Sequence, residues 1–78
     1  MNTAVRKINA WFRTATVSEF ESLRSKIILS ERQSRILEMF YLHGHDIDFI
    51  ADSLNTCRSV VNEELRHIRD KIEKVLLT

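Results

Sequence analysis

The sequence predicts an all-α protein of four to five short helices, and three observations carry that expectation. The 78-residue chain has one Gly and no Pro. Tight hairpins, which ask for Asn-Gly, Asp-Gly or Gly-X pairs, are therefore almost excluded. Apolar residues recur at three- and four-residue steps, the period of an amphipathic helix. Capping patterns of the Ser-x-x-Glu/Gln kind recur just ahead of apolar stretches, at Ser18–Glu21 and Ser30–Gln33, where they mark helix starts. A β-sandwich, which needs roughly a hundred residues, does not fit.

The first helix is expected over residues 3–15. Val5, Ile8, Trp11, Phe12 and Ala15 form its apolar stripe, and Arg6, Lys7 and Arg13 lie off it. Asn2 or Thr3 supplies the cap. A break over 14–18 leads to a second helix capped by Ser18, with Phe20, Leu23 and Ile27 inward, ending near Ile27 or Ile28. Ser30 and Gln33 box the start of the third helix, where Glu31 suits the positive end of the helix dipole. Ile36, Leu37, Phe40 and Tyr41 give it a broad apolar face, and Gly44 ends it. Asp46 caps the fourth helix, with Ile47, Ile50, Ala51 and Leu54 inward. Asn55 is its stop, since Asn is the residue after Gly that best tolerates left-handed backbone. Thr56 caps the fifth and longest helix, to about Leu76, on a stripe of Val61, Leu65, Ile68, Ile72 and Val75 or Leu76.

Charge is small in sum and uneven in place. The net charge is +1, yet residues 1–30 carry five bases against two acids, and residues 46–56 carry Asp46, Asp48 and Asp52 with no base. The pattern excludes a simple polybasic tail and leaves open a locally basic face. Hydrophobic residues at 44% and charged residues at 29% exclude a disordered chain and a membrane span. Met1 is followed by polar and basic residues, without the apolar core of a secretory signal. A single Cys offers no internal disulfide, so a cytoplasmic location is expected. One Gly cannot build a Gly-rich phosphate loop.

Residues 46–69 read as a short helix, a tight turn and a longer helix. Such a helix-turn-helix needs a small residue where the helices cross, a turn residue able to take positive φ, and apolar residues locking the pair. Ala51, Asn55 and the set Ile50, Leu54, Val61 and Leu65 meet these needs. The outward side of the second helix is then free to enter a major groove.

The stretch LSERQSRILEMFYLHGHDIDFIADSLNTCRSVVNEELRHIRDKI resembles the DNA-binding fourth region of bacterial sigma factors and the related LuxR-type regulators. Leu29-Ser30 with Glu31-Arg32-Gln33, the apolar helix to Tyr41, Gly44, Ile50-Ala51, Leu54, Val61, Leu65 and the basic Arg66, Arg69 and Lys71 carry the likeness, over about residues 29–74. The resemblance implies a tetrahelical, sigma region 4-like domain from a bacterium or phage that binds promoter or operator DNA. It implies base contacts by Arg58, Ser59, Asn62, Glu63 and Arg66, and phosphate contacts by Arg32, Arg35, Thr56, Arg69 and Lys71. Residues 58, 62 and 66 share one helix face, away from Val61, Leu65 and Ile68. Arg can read guanine, Asn adenine, and Glu the cytosine amino group. The chain departs from the pattern at Asn55, Thr56 and Cys57, and at the adjacent Glu63 and Glu64.

The expected function is a small stand-alone transcription regulator, not an enzyme, working without a cofactor. A single domain is expected over 1–78, with 1–28 for packing or dimerisation and 29–78 binding double-stranded DNA. Small cores often gain stability by oligomerising, so a homodimer is expected, with Trp11, Phe12, Ile72 and Leu76 as interface candidates. Aromatic residues at this spacing more often pack in their own core. The alternative is a protein-binding module that engages RNA polymerase, a sigma factor or another regulator, suggested by Glu63-Glu64 and the acidic segment. His43, His45 and Cys57 lack the ligand count and spacing of a structural zinc site, and Cys57 is expected to fill the turn. No membrane contact is expected.

Overall fold

Capping side chains close the starts of three of the helices, where N–H groups have no partner within the helix. The computed structural model describes residues 3–76 and contains five α-helices: α1 Thr3–Thr14, α2 Val17–Lys26, α3 Glu31–Leu37, α4 Ile47–Ser53 and α5 Arg58–Leu76. A π-helical turn, Glu38–Leu42, continues α3. No strand occurs among the described residues, so the chain is all-α as expected. Asn2, one of the two expected caps of α1, lies outside the described residues.

The chain divides into two units, Met1–Ile28 with Arg69–Thr78, and Leu29–Ile68. Helix α5 contributes to both.

In the first unit the buried apolar residues are Ile8, Phe20, Leu23 and Ile72. Phe12 meets Phe20 with ring centroids 5.9 Å apart, and Trp11 sits edge-on to Phe12 at 4.9 Å. The cap of α2 differs from expectation. Thr16, not Ser18, holds it: Thr16 Oγ1 accepts from Glu19 N–H at 3.1 Å, and Thr16 N–H donates to Glu19 Oε1 at 3.2 Å. Both Thr16–Glu19 and Ser18–Glu21 have capping-box spacing. The earlier frame adds two helical residues for the same two bonds and puts Ser18 in the first turn, where its N–H needs no intrahelical acceptor. Lys71 Nζ donates to the Ile28 carbonyl at 2.7 Å, tying the last turns of α5 to the chain beyond α2.

In the second unit the expected Ser30–Gln33 box is present, with bonds of 3.1 and 3.2 Å. Its buried apolar residues are Ile36, Leu37, Ile50, Ala51, Val61, Leu65 and Ile68. The regular helix expected to Tyr41 instead widens after Leu37. His43 N–H donates to the Glu38 carbonyl at 2.9 Å, an i to i−5 bond, and His45 N–H to Met39 at 2.9 Å. Four consecutive bulky apolar residues, Met39 to Leu42, cannot share one α-helical face. The wider turn leaves Met39, Phe40 and Tyr41 each half-buried. Gly44, at φ +71, turns the chain out of it, and α4 packs against this turn. Among the described residues no helix is long and apolar enough to cross a membrane.

Candidate nucleic-acid interface

Helices α4 and α5 are joined by residues 54–57, and their geometry follows from the side chains at each end. Asp46 Oδ1 accepts from Phe49 N–H at 2.8 Å, the expected cap of α4. At the other end Asn55 takes φ 54. Thr56 N–H donates to the Ala51 carbonyl at 2.9 Å and Asn55 N–H to Asp52 at 3.2 Å. This pair of bonds is a Schellman motif, which satisfies the last carbonyls of a helix and reverses the chain. Ala51, the expected small residue, is buried.

Helix α5 begins one residue later than a Thr56 cap would give. The carbonyl of Cys57 accepts from Val61 N–H at 3.2 Å, so Cys57 holds the cap position and Thr56 stands just outside, half-buried. Thr56 thus closes α4 through its N–H, and α5 starts one residue beyond a Thr56 cap. Cys57 is exposed.

From this start the two faces of α5 separate cleanly. Val61, Leu65 and Ile68 have 0–1% of their surface exposed. Arg58, Ser59, Asn62, Glu63 and Arg66 are all exposed, so one open surface of α5 carries every residue expected to read bases. Among the expected phosphate contacts, Arg32 and Arg35 are exposed. They line one shallow notch with Glu31, Ser53, Leu54 and Asn55, which brings the start of α3 beside the turn. Arg69 and Lys71 are half-buried and belong to the first unit.

Two features of the surface had no signal in helical periodicity. Arg58 Nε lies 3.2 Å from Asp48 Oδ1, with both side chains 69% exposed. Asp48 reads from sequence only as a first-turn acid of α4; pairing across a turn, ten positions apart, is a tertiary fact. Phe49 is 49% exposed and stacks against His45 with centroids 4.3 Å apart. His43 and His45 are 6.0 Å apart, and no group of three or more metal-ligating side chains occurs among the described residues.

The interface candidates in the first unit divide. Ile72 is fully buried and has no surface to give a second chain. Trp11, Phe12 and Leu76 are half-buried. Trp11 and Leu76 line a shallow groove with Leu23 and Val75.

These features define an all-α protein with an open helix set behind a tight left-handed turn. Comparison with known proteins adds a partial likeness. A UPF0122 protein of Staphylococcus aureus strain JH9 is 35% identical over 46 residues, 59% of this chain and 42% of that protein. UPF0122 proteins of the Newman and Mu50 strains match to the same extent. The matched stretch is thus about two-fifths of the length of these relatives. No family model matches the chain, and no solved structure does.

Proposed function

We propose that the chain is a small sequence-specific DNA-binding transcription regulator, acting through the helix-turn-helix of α4 and α5 as a homodimer. The observation that carries this reading is the separation of faces on α5: Arg58, Ser59, Asn62, Glu63 and Arg66 open, Val61, Leu65 and Ile68 closed. A helix of this kind fits a major groove, whose base edges offer guanine O6 and N7 to Arg and adenine N6 and N7 to Asn. Arg32 and Arg35, beside the turn, suit phosphate contacts that fix register without reading sequence. Two copies would read half-sites about one helical turn apart.

Sequence selection from a random duplex pool at ~150 mM salt tests the reading, since affinities without a stated salt cannot be compared. An enriched palindrome is expected. On that site, Arg66→Ala should cost about 1–3 kcal/mol at one base position, and Arg35→Ala should weaken binding evenly and lower the salt slope by about one. Unchanged discrimination in Arg66→Ala would refute the assignment of α5 as the reading helix.

A second reading, a protein-binding module for RNA polymerase, a sigma factor or another regulator, is favoured by one observation. Phe49 is exposed on a segment that holds Asp46, Asp48 and Asp52. Aromatic residues of this kind serve as interface anchors. This reading expects no enriched sequence and a complex with RNA polymerase that Phe49→Ala abolishes.

A further inference from the structure

Helix α1 has a surface that the helix-turn-helix does not use. Its twelve residues include Arg6, Lys7 and Arg13 and no acid. All three cations are exposed, and none of them has an ion-pair or hydrogen-bond partner among the described residues. Arg6 and Arg13, seven apart, stand nearly in line, because an α-helix drifts only about 20° over a heptad. They are separated by about 10 Å along the axis at about 1.5 Å per residue. Lys7 flanks them, and Thr3, Ala10 and the two arginines line the same shallow depression.

The rest of the chain makes this face matter. Without these three cations, nine bases face eleven acids, so α1 supplies the whole positive excess. The open face of α5 carries Glu63 beside Arg58 and Arg66, and Arg58 is already paired with Asp48. A protein that must approach a polyanion on that face needs cations elsewhere. The opposite side of α1 is committed: Ile8 is buried and Phe12 packs on Phe20. A helix that lies in a bilayer needs its apolar face free, so a lipid surface is disfavoured. Among the described residues the basic face has no exposed aromatic or large aliphatic anchor of the kind protein interfaces use. What remains is Arg, Lys and Thr, the residue types that contact phosphate oxygens.

We infer that the outer face of α1 is a separate nucleic-acid contact, gripping the phosphate backbone of duplex DNA through Arg6, Lys7 and Arg13 without reading sequence. Each phosphate neutralised contributes about 0.9 to the slope of log K against log salt. The test measures binding of the full chain to a random-sequence DNA duplex across a salt series. Arg6→Gln/Lys7→Gln/Arg13→Gln should lower the slope by about 2.7, with helical circular dichroism unchanged because all three side chains are exposed. Lys74→Gln, which removes an exposed cation paired with Asp70, should leave the slope alone. An unchanged slope in the triple variant overturns the inference, as does absence of duplex binding by the wild type. So does a triple variant that keeps its DNA slope but loses binding to anionic phospholipid vesicles. One argument for it, the need for cations away from α5, rests on the proposed regulator reading; the unpaired cations of α1 and the salt-slope test do not. A slope loss with no enriched sequence would support α1 while the regulator reading fails, and an enriched site with no slope loss would do the reverse.

Discussion

Asn55 is the residue on which the turn between α4 and α5 depends, and replacing it separates backbone from side-chain effects. At φ 54 a β-branched side chain is a steric outlier. Asn55→Val therefore has two routes. It can stay in place, where left-handed backbone costs an ordinary residue about 1–2 kcal/mol and a β-branched one the upper part of that range. Or it can relax to negative φ and break the two Schellman bonds, from Thr56 to Ala51 and from Asn55 to Asp52, each with a net worth of about 0.5–1.5 kcal/mol. Both routes converge on a loss of about 2 kcal/mol. Asn55 is exposed, so no cavity adds to it. Asn55→Gly removes the Cβ strain but adds unfolded-state entropy, and should stay within about 1 kcal/mol of wild type. Thermal unfolding followed by helical circular dichroism reads the difference. For a chain of this size about 2 kcal/mol lowers Tm by about 8–16 °C. If Asn55→Val melted with wild type, the left-handed turn would be wrong. If Asn55→Gly fell as far as Asn55→Val, the Asn side chain rather than its φ would hold the turn.

Four further substitutions probe local structure in the same assay. Thr16→Ala should cost about 1 kcal/mol and Ser18→Ala only a few tenths, because the first removes a capping oxygen and the second does not; the reverse order would restore Ser18 as the cap. Ile36→Ala, at a site with no exposed surface, should cost about 2–5 kcal/mol. Gly44→Ala should cost about 1 kcal/mol through its left-handed φ alone, since a Cβ there meets nothing within 4 Å; a much larger loss would place it against a neighbour.

What the sequence made legible was what short-range chemistry decides. Ser30 with Gln33, Asp46, Gly44 and Asn55 each act within a few residues of themselves, and each stands where the spacing predicts. The misplaced cap of α2 shows the limit of that logic. Two overlapping frames satisfied the same rule, and the choice between them lay in how much helix each would form. Cys57 at the cap of α5 is a related case, because Thr56 and Cys57 are neighbours and the Thr side chain is the better cap by residue type alone. The π turn after Leu37 required knowing that Met39 to Leu42 must share space with α4, which no periodicity states. The open face of α5 was legible because burial of Val61, Leu65 and Ile68 fixes the helix rotation. The pairing of Arg58 with Asp48 was not, since it depends on how one helix lies against the next.

The exposed thiol of Cys57 has a practical consequence for any study of assembly. It is the only cysteine in the chain, and it stands at the cap position just before the helix proposed to meet DNA. Air oxidation would join two copies through that thiol, giving a covalent pair. Sedimentation without reductant would then count disulfide-linked pairs together with any non-covalent dimer. The same thiol takes a single fluorophore without further mutation, placing a reporter one residue from Arg58.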